Sequence, residues 1–191
     1  MAPKKRISTL GKQSQKEGSA HIPAARGSGV TRTSTFVGSA HQLLGAEKYA
    51  EQATRRAMEL LKPYAASFKS PRAKLTAIKK GLEAHAISDL IEITGATQMD
   101  LAHILDLPEP TLKKHIKVGK ELNTGLSEHI LQLFQLFDKG MDTFGSLVEF
   151  KSWLGHESIA LLARPVEVLD TITGINMVMD ELIRIDYGIT V

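Results

Sequence analysis

Between Leu126 and Met141 the apolar residues Leu126, Ile130, Leu133, Phe134, Phe137 and Met141 share one helical stripe, while Leu131 and Leu136 fall off it. A helix that is apolar on more than one side must be covered on more than one side, by its own chain or by a second copy. The same spacing of three to four recurs elsewhere. Ala46, Tyr49, Ala50, Ala53, Ala57, Leu60 and Leu61 predict a helix stopped by Pro63. Pro71 suits a first helical position, Leu75 and Ile78 give a short stripe, and Gly81 breaks it. Leu82, Ala86, Leu90, Ile91 and Ile93 predict a helix closed by Gly95. Phe144, Leu147, Phe150 and Leu154 predict one more, ending at Gly155. The only candidate for extended structure is Tyr187-Gly188-Ile189-Thr190-Val191, so the expected fold class is all-α.

Charge is unevenly placed along the 191 residues. Residues 1–35 carry seven Lys/Arg and one acid, residues 36–120 thirteen and nine, and residues 121–191 four and eleven, which gives +6, +4 and −7 and recovers the net +3. A basic front suits a polyanion and an acidic back does not, so the two ends are expected to meet different partners. Residues 1–35 hold few large apolar side chains and read as a flexible basic arm, with 36–70 as a helical extension. The basic stretch 55–80 either lies against phosphates or is simply solvated. Cysteine is absent, which removes disulfides, thiolate metal sites and cysteine nucleophiles and agrees with a reducing cytoplasm. No apolar run reaches the roughly 20 residues that span a bilayer, and no secretory signal opens the chain, so a soluble, cytoplasmic protein is expected.

The most informative stretch runs from Thr97 to Gly119. Thr97 can cap a helix whose Leu101, Ile104 and Leu105 face inward, with small Ala102 permitting a close crossing. Leu107 anchors a turn, Pro110 presets a second helix, and Leu112 and Ile116 bury one side of it. Thr111, Lys113, Lys114 and Lys117 project from the rest, and residues 113–120 contain no acid. This pattern resembles the helix-turn-helix of Xre, or phage-repressor-like, regulators, whose T-Q-x-x-L-A opening is matched by Thr97-Gln98-Met99-Asp100-Leu101-Ala102. The resemblance implies that Gln98 contacts the DNA backbone and that Thr111, Lys113, Lys114, His115 and Lys117 read or clamp operator DNA. Pro108 and Pro110, which bracket the turn, depart from the family pattern.

The C-terminus supplies a second signal. Arg164-Pro165-Val166-Glu167-Val168-Leu169 reads as a short helix opened by proline, Asp170, Thr171 and Thr173 as capping types, and Ile175, Val178, Met179, Leu182 and Ile185 as one face of a last helix closing near Gly188. Trp153-Leu154, Arg164-Pro165-x-x-x-Leu169-Asp170-Thr171-x-x-Gly174, Val178, Leu182, Arg184-Ile185 and Tyr187-Gly188 together resemble the toxin-binding domain of the MbcA/ParS/Xre antitoxins. With the helix-turn-helix, the likeness spans roughly residues 71–191. It implies an antitoxin that neutralises a RES-domain, NAD-consuming toxin by covering its active site, forms a homodimer within a toxin–antitoxin hetero-oligomer, and represses its own operon. The corresponding organisation is a basic arm (1–35), an extension (36–70), an Xre-like DNA-binding domain (71–122) and a toxin-binding domain (123–191).

Leu169, Val178, Leu182 and Ile185 read as core, and Pro165, Thr171 and Gly174 as residues that set helix ends. Arg184, Asp186, Tyr187, Gly188, Ile189, Thr190 and Val191 are the toxin-contact candidates, because a short terminal segment can enter a pocket. An enzyme has little support: His156-Glu157 lacks the second histidine at i+4, and the Gly27-Ser28-Gly29 and Gly38-Ser39 stretches lack the spacing of a phosphate loop, so no metal or other cofactor is expected. A stand-alone repressor, whose C-terminal domain dimerises or binds an effector, is the alternative.

Overall fold

The computed structural model describes residues 35–188, with side chains from Gly45 onward, and those residues form helices without a named strand. Helix α1 spans Thr35–Leu61 and is followed by the single turn α2, Ala65–Phe68. The expected helix at 46–61 is thus real but starts well before Ala46. Helix α3, Pro71–Lys80, opens with Ser70 accepting the Ala73 N–H at 3.2 Å and closes at Gly81. Ile78 is buried as expected, whereas Leu75 is 51% exposed and adds nothing to the core. Helix α4, His85–Thr94, ends at the left-handed Gly95.

Helices α5, Gln98–Ile104, and α6, Glu109–Val118, are joined by a tight turn. Helix α7, Thr124–Phe144, starts at an Asn123 cap and runs through the middle of the fold. Leu126, Ile130, Leu131, Leu133, Phe134, Leu136, Phe137 and Met141 are all buried. The two-sided stripe is covered by the chain itself: α3, α4 and α1 pack against α7, as do α8, Leu147–Leu154, and α9, Ile172–Asp186. Full burial of each large apolar side chain is worth about 1.5–3 kcal/mol, so α7 supplies much of what offsets chain entropy.

Phe144 and Leu147, read from spacing as one helix, belong to two. Gly145 between them sits at φ 76, and Ser146 caps the second, accepting the Glu149 N–H at 3.1 Å. The first N–H of α8 is satisfied at long range, Leu147 donating to Thr54 Oγ1 at 2.9 Å, a buried bond that ties α1 to the C-terminal half. Phe150 packs edge-on against Phe137 at 5.3 Å between centroids and closes the space between α7 and α8. Among the described residues, no helix is long and apolar enough to cross a membrane.

Candidate functional site

The helix pair α5–α6 is built by local rules. Thr97 Oγ1 accepts the Asp100 N–H at 3.1 Å, and the Asp100 carboxylate accepts the Thr97 N–H at 3.2 Å, a reciprocal cap that starts α5 at Gln98. Leu101 and Ala102 are buried, and the turn closes through Leu107 N–H to the Ala102 carbonyl at 2.9 Å, with Asp106 at φ 50. Helix α6 then begins at Glu109, one residue ahead of Pro110, and only Leu112 on it is fully buried.

Ile116 packs partly against the core, and the candidate contact residues of α6 fall into two groups. Thr111, Lys114 and His115 surround one shallow recess together with Val118, Lys120 and Glu121. Lys113 and Lys117 lie outside that recess, and Lys113 forms an ion pair with Glu109 at 2.7 Å. Gln98 is exposed at the first turn of α5. Part of the basic stretch 55–80 is engaged inside the protein: Arg56 pairs with Glu92 at 2.6 Å, and Lys74 donates to Gln135 at 2.8 Å.

The C-terminal module is held by its recurrent residues. Pro165 is the buried first residue of a 3-10 turn, Pro165–Val168, and Leu169 is core. Thr171 Oγ1 accepts the Gly174 N–H at 3.0 Å and starts α9. A Cβ on Gly174 would stand 1.8 Å from the Val168 carbonyl oxygen, so only glycine lets α9 cross the turn at this distance. From α7 the buried His129 donates through Nε2 to the Leu169 carbonyl at 2.9 Å, fixing the loop ahead of α9. Val178 and Leu182 are fully buried, and Ile185 is half-buried.

The C-terminal contact candidates are distributed differently. Arg184 is exposed and pairs with Glu181 at 3.3 Å. Asp186 forms an ion pair with Lys139 on α7, and this hydrogen bond holds its carboxyl below the usual range while raising the Lys139 ammonium. Tyr187 is 78% exposed, so it does not pack against the last helix. Gly188, at φ 67, donates to the Ile185 carbonyl at 2.9 Å and turns the chain out of the helix. Ile189, Thr190 and Val191 lie outside the described residues, as does the basic segment up to residue 34.

Sequence reasoning missed an exposed apolar tip. Ile159 and Leu162, 76% and 89% exposed, stand on a tight loop closed by Ser158 N–H donating to the Ala163 carbonyl at 3.0 Å. No spacing rule distinguishes such residues from core. His156 sits in the turn after α8, with Nδ1 2.6 Å from the Ser152 carbonyl, and not on a helix as a metalloprotease pair requires. Among the described residues, no three His, Asp or Glu side chains gather as a metal site.

The α7–α9 scaffold thus carries an exposed terminal helix end on a buried helical support. Residues 139–188 match the family described as the antitoxin Xre/MbcA/ParS C-terminal toxin-binding domain. The match supports a toxin-binding antitoxin domain of the Xre/MbcA/ParS type in this part of the chain. A comparison with curated proteins found no match.

Proposed function

We propose that this protein is the antitoxin of a type II toxin–antitoxin system, that it silences a RES-domain, NAD-consuming toxin by covering the toxin's active site, and that it represses its own operon. The observation that carries the reading is the toxin-binding domain at residues 139–188. Its last helix ends in the exposed Tyr187 and Gly188, just before Ile189, Thr190 and Val191. Side chains presented at the exposed end of a rigid helix lose little entropy on entering a pocket, so occlusion needs no chemistry from the antitoxin. Arg184 and Asp186 stand in the last turn of α9 and would add charged contacts beside Tyr187. The DNA-binding role is supported by the capped α5–α6 pair, by exposed Gln98, Lys114 and Lys117, and by Thr111 and His115 beside Lys114. Lys113 becomes available to a phosphate once it leaves Glu109. Homodimerisation would place two such helices on a symmetric operator.

The test is co-expression with the neighbouring RES-domain gene, scored for growth and for NAD consumption by the purified pair. The full chain is expected to rescue growth and abolish NAD loss. Truncation after Ile185 is expected to keep the melting midpoint within a few degrees while losing inhibition. A stable truncation that still inhibits fully places the blockage elsewhere on the domain.

A further inference from the structure

A groove of about 370 Å³ lies where α7, α9 and the α1–α2 corner meet. Met179 and Ile183 on α9, Met58 on α1 and Phe68 on α2 form its apolar lining, and Asp138 and Asp142 on α7 stand at its edge. Met58 is 49% exposed and Ile183 41% exposed, although both sit beside well-packed helices. On α9, Met179, Ile183 and Tyr187 follow one another at intervals of four, so the apolar stripe runs from the groove to the end of the helix. The groove is therefore continuous with the segment proposed above to block the toxin.

The rim carries more acid than base, with Lys139 shared between two carboxylates. Asp138 and Asp142 are one helical turn apart, a like-charge spacing that disfavours the free state. Lys139, the adjacent cation, is already held by Asp186 and lies 3.5 Å from Asp142. Burial and the Asp142 charge push the Asp138 carboxyl above its usual range. A partner offering an apolar side chain beside arginine or lysine relieves both features. A second copy of this chain does not, because a two-fold interface would set the same acids against each other. An enzyme that binds a dinucleotide draws its pyrophosphate with positive potential, and a mouth of that sign is the surface such acids suit.

We infer that this groove is a second anchoring site for the toxin, taking an apolar toxin side chain flanked by basic ones, and that the toxin-binding surface thereby extends onto Met58 and Phe68, outside the matched residues 139–188. The inference rests on the toxin-binding reading of the domain, and Met58 separates the two. The full chain and its variants are titrated calorimetrically into a purified RES-domain enzyme that the parent chain inhibits. Met58→Glu and Ile183→Glu are each expected to weaken binding about tenfold or more, with unchanged melting. Asp142→Lys, at a side chain 80% exposed whose ion pair with Lys139 is lost at small cost, is expected to weaken binding and flatten its salt dependence while melting stays within a few degrees. Leu75→Glu, an equally exposed apolar position outside the groove, is expected to bind as the parent does. Parent binding with Met58→Glu and Asp142→Lys unaffected overturns the groove and leaves the toxin-binding reading standing. A parent chain that inhibits no RES-domain enzyme overturns both. Loss of self-association in Ile183→Glu with toxin affinity intact assigns the groove to a second copy and overturns the inference.

Discussion

Helices α6 and α9 are both amphipathic, both near the surface and both opened by a sharp cap or proline, yet they are anchored to different depths. On α6 only Leu112 is fully enclosed, with Thr111, His115 and Ile116 half-buried and every lysine outside. On α9, Gly174, Ile175, Val178 and Leu182 are buried, and the helix start is pinned by Thr171 and by the close crossing at Val168. A helix held at one point can spend most of its surface on a ligand. A helix held along its length serves as a strut, and only its outward edge and its far end are left to recognise anything. The difference suits the two roles proposed above, contact along an exposed face for α6 and contact from an edge and an end for α9.

The largest effect is expected where the strut is broken. Leu182→Asp places an unpaired carboxylate in a fully buried position, at a cost of roughly 4 kcal/mol or more. Because Leu182 belongs to the same continuous core as Leu101 and Leu112, urea unfolding should show global loss, with DNA binding and toxin inhibition failing together. Retention of operator binding by this variant would show that the two regions fold independently. Leu112→Ala is the matched lesion in α6. It removes the only fully buried side chain there and is expected to cost about 2–4 kcal/mol. Operator affinity, measured by anisotropy, should fall much further than toxin inhibition does.

A third substitution separates contact from support. Lys113→Ala with Lys114→Ala removes two exposed cations without touching the core. Stability should stay within about 0.5 kcal/mol, while the slope of log affinity against log salt falls by up to about two units. A fall nearer one unit would indicate that Lys113 keeps its ion pair with Glu109 in the complex.

Much of this division was legible before any coordinates. The caps at Thr97 and Thr171, the stop at Gly95, the proline starts at Pro71 and Pro165 and the two-sided burial of α7 all follow from local chemistry, and local chemistry is what spacing reports. The failures are non-local. Leu75 has an apolar neighbour in the stripe, but no element packs over it to bury it. The bond from Leu147 to Thr54 joins residues 93 positions apart, and the groove unites Met58 with Ile183 across a similar gulf. The join at Gly145 was missed because the apolar spacing survives the break from α7 to α8 while the backbone does not. For the candidate sites, type and helix could be read in advance, but pairing could not: Asp186 and Lys113 stand among the exposed charged residues, and each already has a partner.

The smallest effect concerns two aspartates, Asp186 on α9 and Asp138 on α7, and its sign distinguishes them. Asp186 has its carboxyl depressed by the hydrogen bond from Lys139, so the unfolded chain binds its proton more readily than the native one. Its contribution is present above the ordinary carboxylate range near pH 4 and is lost as pH falls through the lower native value. Asp138 is raised, first by burial and then by Asp142, so the native state holds that proton more tightly. Its effect runs the other way: stability falls as pH rises from the ordinary range through the raised native value, leaving a penalty at neutrality. Asp138→Asn should therefore raise the melting midpoint at pH 7 by at most a few degrees and lose that advantage near pH 3. Asp186→Asn should lower it at pH 7 and converge on the parent at acid pH. Differential scanning calorimetry between pH 3 and pH 7 reads both. Equal pH dependence in the two variants would mean that the Lys139 pair, and not burial at the groove, governs both carboxylates.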